Sequence, residues 1–216
     1  MDLYVLNSSL QRIYLIDNYE SLTWVERFNE LGDAKIVISW SKENVQRLKT
    51  GSILSINKSN RLMIVDTVTS NLKDTGERVL EVQAYSLEII LENRPAKNTK
   101  AGLKSNAKWI LNGTPGWVLR TIFNTVCRSN TVHPQDNIPF LQSGTIMPSS
   151  TLPEPTESIE YEVNPESVLK ALLDLSDKYK LGFTSSTRLS YISMYTQVTI
   201  ELPTKQVVPP LCLVHK

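Results

Sequence analysis

Between Tyr19 and Ser39 the chain reads YESLTWVERFNELGDAKIVIS, and this stretch constrains the fold more than any other. Leu22, Trp24 and Glu26 alternate with Ser21, Thr23, Val25 and Arg27. Beyond the polar turn Asn29-Glu30-Leu31-Gly32-Asp33, Ile36 and Ile38 fall on one face, and Lys35, Val37 and Ser39 on the other. Two period-2 runs across a Gly-containing turn predict antiparallel strands whose register the turn sets. The stretch holds no catalytic motif. It predicts a wall, and what the wall encloses has to come from the rest of the chain.

That rest repeats the same pattern. Leu3 to Leu6 and Arg12 to Ile16 predict an opening hairpin around Asn7-Ser8-Ser9. Three more strands follow at Ser52 to Ile56, Arg61 to Thr69 and Glu77 to Tyr85, joined by Asn57-Lys58-Ser59-Asn60 and Lys73-Asp74-Thr75-Gly76, which have hairpin chemistry. Met63 and Val65 flank Ile64, so this strand is expected to be covered on both faces. Ser41 predicts the cap of a short surface helix ending at Gly51, and Ser86 that of a second, Leu87 to Glu92, halted before Arg94-Pro95. Six or seven antiparallel strands with two small helices predict a compact barrel or curled sheet over residues 1–95.

After Pro95 the pattern changes. Residues 96–108 are rich in Lys and Asn and read as a connector. Thr114-Pro115 predicts a helix start, with Val118, Leu119, Ile122, Phe123 and Val126 on its apolar face. Residues 128–158 carry Pro134, Pro139, Pro148, Pro153 and Pro155 and predict an irregular segment suited to crossing a neighbour's surface. From Asn164-Pro165 the run ESVLKALLDLSDKYK predicts the strongest helix, with Val168, Leu172, Leu175 and Tyr179 as its stripe, widened by Leu169 and Leu173, and Leu181-Gly182 as its end. Phe183 to Thr187 and Leu189 to Thr196 predict a final hairpin through Thr187-Arg188. The last stretch, ELPTKQVVPPLCLVHK, shows no clean alternation.

Composition narrows the function. The chain has 216 residues, room for one large or two small domains, and 23 basic against 22 acidic residues give a formal charge of +1. Such a balance lacks the electrostatic footprint of a polyanion binder. Cys127 and Cys212 are too few and too far apart for a disulfide framework, which points to synthesis in a reduced, intracellular compartment. No run reaches the roughly 18 apolar residues of a membrane span, and the first 16 residues lack a signal-peptide core, so a soluble protein without stable membrane insertion is expected.

Candidate chemistry is sparse. His133, in HPQDN, has no second ligand in reach of its sequence and reads as a solvated loop. Cys127, at the end of an apolar helix face, reads as a small core side chain. Glu154, Glu157, Glu160 and Glu162 form an acidic run that, without a supporting framework, reads as solvated and not as a glycosidase pair. Ser143-Gly144 and Gly113-Thr114-Pro115-Gly116 lack the spacing of a nucleophile elbow or a phosphate loop. Trp24 and Trp40 fit the strand core, whereas Trp109 and Trp117, with Tyr161, are candidates for an assembly interface with another subunit. No catalytic, cofactor or metal residue is assigned, and an enzyme is not expected.

The order of these segments carries a resemblance. A start of the type DLYVLD, a core ID-x-YESL-x-W-x-x-R-[FY]-x-E-x-GD and a later x-SLE-x-IL-x-x-R correspond to Asp2–Leu6, Ile16–Asp33 and Ser86–Arg94. With the helix ESVLKALLDLSDKYKLGF, residues 1–196 resemble the Gp37-like minor tail, or tail-tip (baseplate) hub, proteins of siphophages. The resemblance implies an α+β, mainly antiparallel fold: a β-barrel, tube-like hub domain at 1–95, an inserted helix-containing domain at 96–162, and a partial second hub domain at 163–216. It implies a homotrimeric ring in the virion tail, assembled in the host cytoplasm. Such a ring receives the distal tail protein above, carries a spike, fibre or lysin below, and leaves a lumen for tape-measure protein or DNA. A carbohydrate-binding receptor module and the hub portion of a tail-associated lysin are the alternatives. Family members continue through further strands after the LGF helix. The fading pattern beyond Thr196 is therefore read as a shortened, frame-shifted or otherwise altered terminus.

Overall fold

A computed structural model describes residues 1–27, 29–98, 108–130, 133–138, 141–143, 155–189, 194–201 and 211–215. Phe28, part of the connector (99–107), residues 144–154 with Gly144 and Glu154, and residues 202–210 lie outside the described residues. The fold is α+β and mostly antiparallel sheet with a few helices. Two compact units make it up, one built on Met1–Leu87 together with the C-terminal strand, the other on Glu88–Thr184.

In the first unit, β1 (Leu3–Leu6), β2 (Arg12–Ile16), β3 (Tyr19–Glu26), β4 (Asp33–Ser39), β5 (Ile53–Ile56), β6 (Leu62–Leu72) and β7 (Arg78–Ser86) form one sheet. The hairpin of β3 and β4 appears as the alternation predicts. Leu22 and Trp24 pair with Ile36 and Ala34, and all four are fully buried. The β1–β2 turn is held by Asn7, whose Oδ1 accepts from the Ser9 N–H at 3.0 Å and the Gln11 N–H at 2.9 Å. Leu10 sits there at φ 61°, a left-handed conformation costing a non-glycine residue roughly 1–2 kcal/mol, and its buried side chain offsets the strain.

Sheet order is β13-β3-β4-β7-β6-β5-β1-β2, with β13 at Leu211–His215. The C-terminal strand runs antiparallel to β3, from Leu211 opposite Glu26 to His215 opposite Leu22. The stretch without alternation thus adds a strand to the hairpin at the start of the chain. Pairing of this kind depends on main-chain groups, which side-chain periodicity does not report. No ladder joins β13 to β2 among the described residues, so the sheet is open in its hydrogen bonding. It nevertheless wraps one apolar cluster drawn from β1 to β7, including Leu3, Ile16, Trp24, Ile36, Leu54, Met63 and Val82.

Several local expectations need correction. Trp40 is not core: β4 ends at Ser39, and the indole is 43% exposed beneath the Arg78 guanidinium, 5.1 Å from its ring centre. Ser86 ends β7 directly before the 3-10 helix Leu87–Leu91, and its buried Oγ accepts from the Gly32 N–H at 3.0 Å. The helix after Ser41, α1 (Lys42–Arg47), is capped as expected but stops before Gly51. β6 is covered on both faces only at its start, and from Asp66 onward it is largely exposed.

In the second unit, β8 (Trp109–Gly113) pairs antiparallel with β10 (Ile159–Val163). Helices α2 (Pro115–Cys127) and α3 (Val168–Tyr179) touch each other, and α2 touches β8 and β9 (Leu141–Ser143). The apolar positions of α2 are buried as its period predicts. In α3 the cap is Ser167, whose side chain accepts from the Lys170 N–H, and Lys180 in the left-handed region closes the helix, so both ends differ from the expected Asn164-Pro165 and Leu181-Gly182. Val168, Leu169, Leu172 and Leu175 are buried, while Leu173 and Tyr179 are half-buried. The proline-rich stretch is not irregular throughout: β9 pairs in parallel with β12 (Met194–Glu201), beside which lies β11 (Gly182–Leu189). β11 runs on through Thr187-Arg188, where the hairpin turn was expected, to Leu189, and β12 begins only at Met194.

Candidate assembly surface

The predicted interface residues all lie around the two-stranded sheet of β8 and β10. Along β8 the burial alternates: Trp109 and Leu111 are buried, Ile110 and Asn112 exposed. In register with them, Val163 and Tyr161 share the inner side, Glu162 and Glu160 the outer. Period-2 geometry therefore sets Trp109 and Tyr161 on the same inner side, while Trp117 belongs to α2.

Trp109 is 7% exposed and packs inside its own chain, so it has almost no surface to offer a subunit. Tyr161 is half-buried on the same side; burial raises its hydroxyl pKa, with the carboxylates of Asp174 and Glu166 adding to the shift. Trp117 is different. Thr114 caps α2 by accepting from the Trp117 N–H at 3.4 Å, and Pro115 takes the first turn, where its missing N–H costs nothing. The indole lies against Gly113 so closely that a Cβ there would sit 2.4 Å from Trp117 Cε3. Gly113 has no left-handed φ, so its lack of a side chain serves ring seating. Trp117 stays 43% exposed. On the outer side of the sheet Ile110 is 45% exposed, beside Asn112, Glu160 and the Lys108–Glu162 ion pair at 3.0 Å. Glycine seating of the indole was not legible in the sequence.

The first unit presents its own apolar surface on edge strand β2, where Ile13, Tyr14 and Leu15 are each more than 40% exposed. Arg12 stacks on Tyr4 and Arg47 on Tyr14, at 4.1 and 4.6 Å from the ring centres. A register shift falls within β2, and bulges of this kind moderate an open edge.

The remaining candidates are settled locally. His133 is exposed at the start of the 3-10 turn Pro134–Asp136, its N–H donating to Asn130 Oδ1 at 2.7 Å. Cys127 is fully buried, and burial pushes its thiol up to about 12. Glu157, Glu160 and Glu162 are exposed. Among the described residues no group of three or more His, Cys, Asp or Glu is placed to hold a metal ion, and no helix is long and apolar enough to cross a membrane. For Cys212 and His215 the backbone pairing with β3 is what is described.

Comparison with known proteins then decides the family. Residues 2–206 match the family described as siphovirus ReqiPepy6 Gp37-like proteins. The chain belongs to this family. No curated protein matches the Gp37-like chain. Among solved structures it is similar to the prophage tail protein gp18 of Listeria monocytogenes EGD-e, at 12% identity and a TM-score of 0.54, over 93% of this chain and 50% of that one. It is also similar to the E. coli c3393 protein, a type VI secretion component described as structurally similar to T4 tail proteins gp27 and gp5, at 11% identity and a TM-score of 0.53, over 93% and 48%. A tail protein from Neisseria meningitidis gives 13% identity and a TM-score of 0.51, over 91% and 49%. At such identities the likeness is one of fold. The Gp37-like chain spans about half the length of these structures.

Proposed function

We propose that this phage tail protein is a structural part of the tail tip, a hub that extends the tail tube. The observation that carries the reading is the curled sheet of the first unit, wrapped over one core yet open at both ladder ends among the described residues, in a chain of the Gp37-like family whose fold is shared with tail proteins. A sheet with two free edges can continue into neighbouring subunits, and head-to-tail contacts that close make a ring. In this reading residues 1–95 are the tube-like hub domain, 96–162 the insertion and 163–216 a partial second hub domain. The chain acts as a homotrimer in the virion tail, assembled in the host cytoplasm, with the distal tail protein on one side and a spike, fibre or lysin on the other. Its work is mechanical, and tape-measure protein or DNA passes through the lumen. Trp117, exposed in the first turn of α2, supplies an aromatic anchor for assembly, and the half-buried Tyr161 a second, while Trp109 stays buried in β8.

One observation favours a second reading as a carbohydrate-binding module of the tail: the Trp117 indole is 43% exposed, an aromatic face of the type that stacks on sugars. Light scattering and negative-stain microscopy of the purified protein separate the two. Rings of defined stoichiometry are expected; a strict monomer that binds a glycan would overturn the hub reading.

A further inference from the structure

Strand β3 and the β5–β6 turn are apart in the sheet, with β4 and β7 between β3 and β6 along the ladder. They nevertheless meet through side chains. Glu26, at the end of β3, accepts from Ser59 Oγ and from Trp24 Nε1 at 3.1 Å, and faces Arg61 Nε at 3.7 Å. Arg61 Nη1 donates to the Arg27 carbonyl at 2.6 Å, and the Arg61 N–H donates to Ser59 Oγ at 2.8 Å. Arg27 in turn donates to the Leu31 carbonyl at 2.8 Å and pairs with Asp33, tying in the β3–β4 turn. The side chains of Glu26 and Arg61 are only 20% and 15% exposed, so this cluster is screened far less than an ordinary surface ion pair.

We propose that this cluster is a latch: it closes one end of the curled sheet by side chains where no ladder does, and it controls how readily that end opens. Main-chain ladders hold β3, β4, β7 and β6 on both sides, whereas the junction of β3's end with residues 57–61 rests on the side chains of Glu26, Ser59 and Arg61. Segments tied by few contacts open locally, below the free energy of global unfolding. With the latch lost, residues 24–33 and 57–62 open together while the centre of β7 stays closed. Glu26 and Arg61 act as positioning residues for the wall and touch no ligand.

Hydrogen exchange of the full chain, read by mass spectrometry, tests this with Glu26→Gln, Arg61→Gln and the double variant. The expected result is exchange faster by about tenfold to a hundredfold in peptides covering 24–33 and 57–62, from the loss of charge-assisted hydrogen bonds, with peptides in 79–84 unchanged. The double variant is expected to match the worse single one, because either change disables the unit. Unchanged exchange at both segments overturns the proposal. So does an equal rise throughout the sheet, which marks a general loss of stability, and so do strictly additive effects. Should the Glu26 or Arg61 variants fail to fold, Ser59→Ala removes one latch partner alone, and the same comparison of segments decides.

Discussion

Replacing Gly113 by Ala puts a number on the seating of Trp117. The new Cβ would lie 2.4 Å from Cε3, 3.0 Å from Cδ2 and 3.1 Å from Cζ3 of the indole. Ordinary carbon contacts begin near 3.5 Å, so the ring has to move by about 1 Å. Because the indole is 43% exposed it has room to swing outward, which places the cost at the low end of the overpacking range, about 1 kcal/mol. In a Trp117→Ala background the obstacle is gone, and the same change is expected to be neutral or to stabilise by roughly 0.4–1 kcal/mol, since Ala loses less chain entropy than Gly. The coupling between the two positions should therefore be about 1–2 kcal/mol, within the range for contacting residues. Urea unfolding of the four proteins, followed by circular dichroism so that the lost indole does not alter the signal, measures it. Equal costs for Gly113→Ala with and without Trp117 would falsify the seating.

Other glycines separate sterics from conformation. A Cβ at Gly32 would meet the Val25 carbonyl oxygen at 2.6 Å, a main-chain atom that cannot swing away, so Gly32→Ala is expected to cost about 2–3 kcal/mol. Gly76 sits at φ +83° with open space around it, so Gly76→Ala should cost only about 1–2 kcal/mol of left-handed strain; denaturant midpoints in the reverse order would refute the assignment. Cys127 should resist alkylation at pH 8 in the native protein and react only in denaturant, as followed on its own peptide by mass spectrometry. Its thiol pKa is raised from 9.0 to about 12, so the associated stability is full below pH 9 and is lost as pH rises toward 12. Glu81 titrates below the usual carboxylate value because of hydrogen bonds from Asn71 and Lys35, so its contribution is present above pH 4.5 and fades as pH falls through its lowered value. Asn71→Ala should move that titration back up, which carboxyl NMR would show; an unmoved titration would discount the Asn71 bond.

The local pattern carried much of this fold. Leu22, Trp24, Ile36 and Ile38 announce their shared face by period 2 alone, and Val118, Leu119, Ile122 and Phe123 announce theirs by helical spacing, because burial of one face imposes the backbone's own period on the sequence. The ordered Gp37-like segments also led to the family. Caps were less secure: Ser41 and Thr114 act as read, Ser86 also accepts from the distant Gly32 N–H, and the α3 cap is Ser167. A serine can serve whichever donor the fold brings near.

What the sequence determined by itself was therefore which residues face inward along each strand and helix, and which family the chain resembles. The tertiary structure decided which elements meet. It exposed Trp40 by ending β4 at Ser39, buried Trp109 while seating Trp117 on Gly113, and brought Leu211–His215 beside β3. It also joined Glu26 to Arg61 across the curl. The physical reason is common to all four: periodicity records the environment on each side of one segment, whereas partners distant in the chain are chosen by main-chain hydrogen bonds and by the shape of the space left over. Neither of these leaves a repeat in the sequence.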